Sequence, residues 1–183
     1  MLFAINETIR GESCRGECVM KRLAHIRCEA GNNERFHEVL DICLLYTSSI
    51  EIFQDGEAFI DITPCRPVKT VLEELFAKVR SVCPEVSIGV GNNKFIARLA
   101  SECTNGYCII EPSEVDDFLR NVPVTRFWVL SRDIQESLLQ LGIRTIGEIK
   151  KIPEKHLYAQ FGDIAGTISG YSRGEDYSLL VPN

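Results

Sequence analysis

The apolar positions between residues 36 and 110 change period several times, and each change predicts an element. Phe36, Val39, Leu40, Cys43 and Leu44 recur three and four apart, the spacing that gathers side chains on one helical face. Ile50 to Phe53 and Ala58 to Ile62 are short runs rich in Ile and Phe, the mark of strands. Between them stands Asp55-Gly56, suited to a two-residue hairpin turn because glycine accepts positive φ. After Pro67, the residues Val68, Val71, Leu72, Leu75, Phe76, Val79 and Val82 form a stripe that stops before Pro84, which predicts a helix. VSIGVG then reads as a buried strand, NNKFIARLASE as a helix with Phe95, Ile96, Leu99 and Ala100 inward, and YCII as a further strand. The first 33 residues are the least regular, with some helical periodicity in CVMKRLAHIRCEA.

Near Pro112 the character changes to short helices. Ser113 with Asp116 resembles a cap, Ser131 is placed to cap DIQESLLQL up to Gly142, and Thr145 with Glu148 forms a capping box for IGEIKKI. The sequence therefore predicts an α+β sheet domain over residues 34–112, covered by helices, and a small all-helical domain over residues 113–183.

Composition narrows the class. With 183 residues and 45% hydrophobic content, the chain can bury a core. No apolar run approaches the roughly 18 residues needed to span a bilayer, and MLFAINETIRG lacks the basic and apolar regions of a secretion signal. No membrane partner is expected, and the chain reads as soluble and cytoplasmic. Its eight cysteines sit among ordinary hydrophobes, as reduced cytosolic thiols do. Cys14, Cys18, His25 and Cys28 could make a tetrahedral zinc site, although their spacing fits no known zinc module and buried thiols are the plainer account. The net charge of -6 argues against binding nucleic acid by bulk electrostatics alone. Local basic groups remain: Lys21, Arg22, His25 and Arg27, then Arg144, Lys150, Lys151 and Lys155.

Three acids, Asp55, Glu57 and Asp61, crowd the hairpin. Nucleotidyl transfer needs two divalent ions about 3.5 to 4 Å apart, held by several carboxylates. Here GEAFIDIT resembles the palm motif SxDEAFLDVT of the Y-family, or translesion, DNA polymerases. SIGVGNNKFIARLASE resembles their SIGVAxNKFLAKIASD, and LGIRTIGEIKKIP resembles their helix-hairpin-helix thumb. The motifs run in order over some three quarters of the chain. The resemblance implies a partial ferredoxin-like palm sheet followed by a helix-hairpin-helix thumb, with residues 1–33 a remnant of the fingers.

Residue by residue, the resemblance places Glu57 at the second carboxylate of the family's Asp-Glu pair and puts Gly56 where the Asp belongs. Asp55 stands one position early, so strand alternation turns it away from that slot unless the backbone bulges. Asp61 matches a further acid that is not a principal ligand. Lys94 aligns with the lysine that meets the triphosphate, and Arg10 with the arginine of the fingers motif AxNYEAR. In the thumb, Arg132 stands where a glycine turn usually offers amides to a DNA phosphate, while amides near Arg144 and Thr145, with Lys151, form a second candidate contact. No counterpart of the family's first strand, with its catalytic Asp, or of its C-terminal DNA-gripping domain is expected within these residues.

The departures, together with ITPC, LSRDIQESLLQLG, YAQFG and SRGEDYSLLVP, resemble the ImuB-type branch. Its members keep the polymerase shape without the catalytic carboxylates and serve as adaptors in damage-induced mutagenesis. The resemblance implies no metal as the chain stands, or Mg2+ if it is active. It also implies weak binding to primer-template DNA and contacts with replication or repair proteins. A sheet lacking a strand further predicts self-association through an open palm edge. Two alternatives stand beside it: a piece of an active translesion polymerase, and an interaction domain that does not bind DNA.

Overall fold

The computed structural model describes residues 20–28 and 33–182. Its elements are β1 (Leu23–Cys28), α1 (Asn33–Leu44), β2 (Ile50–Gln54), β3 (Glu57–Asp61), α2 (Val68–Val82), β4 (Val86–Gly91), α3 (Lys94–Glu102) and β5 (Tyr107–Ile109). They are followed by α4 (Val115–Asn121), α5 (Arg132–Gln140), α6 (Ile146–Ile149), α7 (Glu154–Phe161) and α8 (Ala165–Ser172). No helix among the described residues is long and apolar enough to cross a membrane.

The five strands form one mixed sheet in the order β2-β3-β1-β4-β5. β1 lies antiparallel to β3 and β4, and β2 antiparallel to β3. This is the βαββαβ arrangement of ferredoxin-like sheets, and α3 extends it as a crossover to β5, which runs parallel to β4.

β1 corrects two expectations. LAHIRC is a strand, not part of a helix, and it begins upstream of residue 34, where the sheet domain was expected to start. Both of its faces are covered, so its apolar run lacks the alternation that marks a half-exposed strand. It also fills the middle of the sheet, so no gap is left there to drive self-association. The open edges are β2 and β5.

Two cores flank the sheet. Ala24, Ile26 and Cys28 of β1 pack with Phe36, Val39 and Cys43 of α1 and with Leu72, Leu75 and Val79 of α2. Leu44, expected on that face, is 56% exposed at the helix end. On the other side, Phe95, Ile96, Leu99 and Ala100 of α3 join Leu119, Phe127, Leu138, Ile146, Ile149 and Ile168 in the core of the helical region. α3 can press against β4 because Gly89 has no side chain: a Cβ there would stand 2.2 Å from the Ala97 carbonyl oxygen and the Ser101 nitrogen.

The hairpin forms as the sequence predicts, with Gly56 at φ +79° and a register shift between Ile52 and Gln54. The caps differ in detail. Glu111, not Ser113, opens the helical region, its amide donating to Glu114 at 2.9 Å. Ser131 stands at the start of α5 without a capping side-chain hydrogen bond.

Candidate functional site

Cross-strand pairing assembles the site on the sheet face beneath α3. Glu51, Phe59, His25 and Gly89 form one row across β2, β3, β1 and β4, and Gln54, Glu57, Arg27 and Ser87 form the next. Residues directly opposite in an antiparallel ladder project to the same side, so this face carries the acids and His25. From above, α3 lowers Lys94, Arg98, Ser101 and Glu102, whose spacing of four, three and one keeps them on one helical face.

Glu57 is 7% exposed. Its Oε2 lies 3.3 Å from His25 Nε2 and 3.3 Å from an Arg98 guanidinium nitrogen. Neither contact has hydrogen-bond geometry, since Oε2 and Nε2 make no hydrogen bond among the described groups. Burial pushes the Glu57 carboxyl up, but His25 and Arg98 together outweigh it and leave it below the ordinary carboxylate value. Burial likewise dominates at His25, driving its pKa below the ordinary histidine value against the pull of Glu57. His25 is therefore neutral near pH 7, and Arg98 is the counter-charge that matters.

Arg98 is held on every side. Its Nε is 3.3 Å from Glu102, and the guanidinium stacks 4.6 Å from the Phe53 ring centre and 4.8 Å from that of Trp128. Both contacts are cation–π in geometry. On the far side of His25, Nδ1 lies 2.7 Å from Ser101 Oγ. The Ser101 hydroxyl donates to the Arg98 carbonyl at 2.7 Å, which leaves Ser101 Oγ to accept from the Nδ1 N–H. The Ser101-His25-Glu57 row has the order of an acyl-transfer triad. Ser101 and His25 are both 0% exposed beneath α3, so no substrate reaches them, and the row is structural.

The expected residues fare unequally. Asp55 is exposed in the turn and lines, with Glu57, Arg27, Gln54, Ser87 and Asn105, a cleft of about 580 Å³. Asp61 accepts from the Thr63 amide at 2.8 Å and takes no part in the site. Lys94 was expected to face a triphosphate. Instead it is buried, its ammonium 2.8 and 2.6 Å from the two Glu51 carboxylate oxygens. Gly56 disfavours the family's Asp: beyond its positive φ, a Cβ would stand in a tight contact, 3.0 Å from the Cys28 carbonyl oxygen.

In the helical region Arg132, Arg144 and Lys151 are exposed and Thr145 is half-buried. The amides expected to meet a phosphate are already used, because the Arg144 and Thr145 N–H groups donate to Glu148 at 2.7 and 3.1 Å. Burial opposes ionisation of Glu148 only weakly against those two bonds, which hold its carboxyl below the usual value. Only side chains remain at this turn for a phosphate. Arg10, Cys14 and Cys18 lie outside the described residues. The zinc set cannot close in any case, because His25 faces α3 while Cys28, three residues along the same strand, faces the opposite core.

A Mg2+ pair does not fit this donor set. Glu57 is turned to a guanidinium, Gly56 offers no ligand, and the described residues hold no group of three or more metal-ligating side chains. Sequence reasoning named His25 only as a zinc or basic candidate, and missed Arg98, Ser101, Glu102, Glu51 and Trp128. The signal for the helix residues was present in KFIARLASE, whose polar positions share one face as its apolar positions share the other.

Comparison with known proteins puts this geometry in a family context. No protein-family model matches the chain. It is 30% identical over 152 residues to DNA polymerase IV of Desulfatibacillum aliphaticivorans, covering 79% of this chain and 38% of that polymerase. It is 31% identical over 147 residues to DNA polymerase IV of Mannheimia succiniciproducens, covering 76% of this chain and 41% of the relative. The chain thus spans well under half the length of these relatives. Among solved structures, DinB from Sulfolobus solfataricus superposes with a TM-score of 0.63 at 20% identity, over 82% of this chain and 47% of that one. A Dbh ternary complex superposes with a TM-score of 0.68 at 19% identity and the same coverages. The chain is similar in sequence to DNA polymerase IV, and its sheet and helices have the fold of the corresponding part of the DinB polymerases.

Proposed function

We propose that this chain is a Y-family polymerase-like module of DNA repair that handles DNA without transferring nucleotides, as ImuB-type accessory proteins do. The observation that carries this reading is the state of Glu57. It is the one acid retained at the expected slot, and its charge is met by Arg98 and flanked by His25. A divalent ion would have to displace a guanidinium that is itself fixed by Glu102, Phe53 and Trp128. The neighbouring Gly56 contributes no second carboxylate, and Lys94 is neutralised by Glu51.

In this reading residues 113–182 act as the thumb. Arg132, Arg144 and Lys151 offer side-chain charges to the phosphates of a primer-template duplex, while contacts with replication or repair proteins supply the rest of the affinity. Primer extension with Mg2+ or Mn2+ tests it, with no template-directed incorporation expected. Incorporation that disappears in Glu57→Gln would overturn the reading. One observation favours the second account, a piece of an active polymerase: Asp55, Glu57 and Glu85 line one cleft, and a shift that drew the three together would make a ligand set.

A further inference from the structure

The core between the sheet and the α1 and α2 helices holds thiols that the site described above does not use. Cys28 ends β1 and stands directly opposite Val86 at the start of β4. Cys83 is the C-terminal cap of α2, and only Pro84 and Glu85 separate it from that same Val86. α2 therefore delivers Cys83 to the sheet face that Cys28 occupies, and both join one apolar core with Cys43 of α1. The Cys28 and Cys83 thiols lie within hydrogen-bonding reach of one another. Their backbones are fixed as well: the Cys28 amide donates to the Gly56 carbonyl at 2.8 Å and the Cys83 amide to the Val79 carbonyl at 2.8 Å. Neither sulfur has far to travel to meet the other.

Access separates this pair from the third thiol. Cys43 is fully buried, whereas Cys28 and Cys83 are 8% and 9% exposed at the margin of the core. There the core opens onto the cleft of Asp55 and Glu57, whose wall includes Cys28 and the Pro84, Glu85 and Val86 that follow Cys83. A small polar reagent can approach the pair without the fold opening. Burial pushes the Cys28 thiol well above its ordinary value, and the neighbouring Cys83 and Cys43 sulfurs add to it. A dithiol stabilised as thiolate yields an easily reduced disulfide; one held protonated lies at the other extreme, slow to react but resistant to reduction once bridged.

We propose that Cys28 and Cys83 are a redox modification site, a dithiol that a low-molecular-weight disulfide entering through the cleft converts to a bridge between the end of β1 and the end of α2. The Cys83 sulfur, as thiolate, attacks one sulfur of the reagent and expels the other as a thiolate, which takes up the proton. Cys28 then gives up its proton and attacks the Cys83 sulfur, expelling the second reagent thiol. Two protein S–H bonds become one S–S bond, the reagent's S–S bond becomes two S–H bonds, and two electrons pass from protein to reagent. The bridge closes the loop that carries α1, the hairpin and α2, which restrains the unfolded chain. The pair plays no part in the reading of Glu57, so the outcome is independent of primer extension.

The test incubates the full chain under native, mildly alkaline conditions with oxidised glutathione, alkylates the remaining thiols in urea and digests with trypsin. The peptides of residues 28–35 and 81–94 should be recovered joined by a disulfide. The melting temperature should rise by about 5–10 °C, and excess dithiothreitol should reverse both changes. Cys83→Ser should show neither change and Cys43→Ser should show both, with circular dichroism checking that each variant is folded. Recovery of Cys28 and Cys83 unbridged from the unaltered chain overturns the proposal whether or not the variants fold. So does Cys28 bridged to Cys43 instead, a bridge that forms only when urea is present during oxidation, or a bridge that leaves the melting temperature unchanged.

Discussion

Replacing Arg98 with methionine isolates the charge that the site depends on. Methionine keeps most of the side-chain stem, and its sulfur suits the faces of Phe53 and Trp128, so packing is largely retained. What disappears is the cation facing Glu57 and Glu102, each 3.3 Å away. Removing one partner of a buried ion pair costs about 3–5 kcal/mol, and since Glu102 is less enclosed than Glu57 the lower end, about 3 kcal/mol at pH 8, is expected. For a chain of this size that is a fall in melting temperature of about 6–12 °C. The pH dependence fixes the cause. In the unaltered chain Glu57 is depressed in the folded state, so its contribution is present above the unfolded carboxyl value and lost as pH falls through the folded one. His25 is also depressed when folded, so its contribution fades in the same direction as pH drops below the ordinary histidine value. In the variant the carboxyl loses its counter-charge and its folded value rises, so the destabilisation grows as pH climbs from 5 to 8. Urea denaturation at both pH values measures it, with a smaller loss expected at pH 5 because the carboxyl is then closer to taking up a proton. A loss below about 1 kcal/mol at pH 8, or one equal at the two pH values, would refute a central role for Arg98.

Other consequences are open to simple measurement. Gly56→Ala should destabilise by about 1–2 kcal/mol, since it forces a side chain to positive φ and against the Cys28 carbonyl; an unchanged melting temperature would show that the turn is not as described. Gly56→Asp meets the same obstruction and should not confer primer extension. Burial pushes the Cys43 thiol up to about 12, so at pH 8 iodoacetamide should modify exposed Cys103 well before Cys43, which should react only after denaturation. If Arg144 and Lys151 each meet a DNA phosphate, the double alanine variant should flatten the slope of log affinity against log salt by about two, and an unchanged slope would remove them from the interface.

The hairpin, α2 and α3 were legible because each has an uninterrupted local cause: a glycine turn, a long apolar stripe, and an asparagine cap whose side chain accepts from Ile96. β1 was not, since a strand covered on both faces shows no alternation and its six residues are also compatible with a helix. At the site, the motif located Glu57 and Lys94 but said nothing of their partners. Glu51 and Glu57 are brought beside Lys94 and Arg98 only when α3 folds onto the sheet, and no spacing within one element encodes that meeting. The same limit hid Glu148 as a competitor for the amides at Arg144 and Thr145. A capping box was visible in the sequence, but not that it would spend the donors a phosphate would need.

α3 serves as a party wall: its apolar side completes the helical core while its charged side lies on the strands, and Gly89 lets it sit flush against them. A cut near residue 112 would leave this helix with one bare hydrophobic flank and the severed helices without their floor. The two halves are therefore expected to melt together in a single transition and to travel through evolution as one piece.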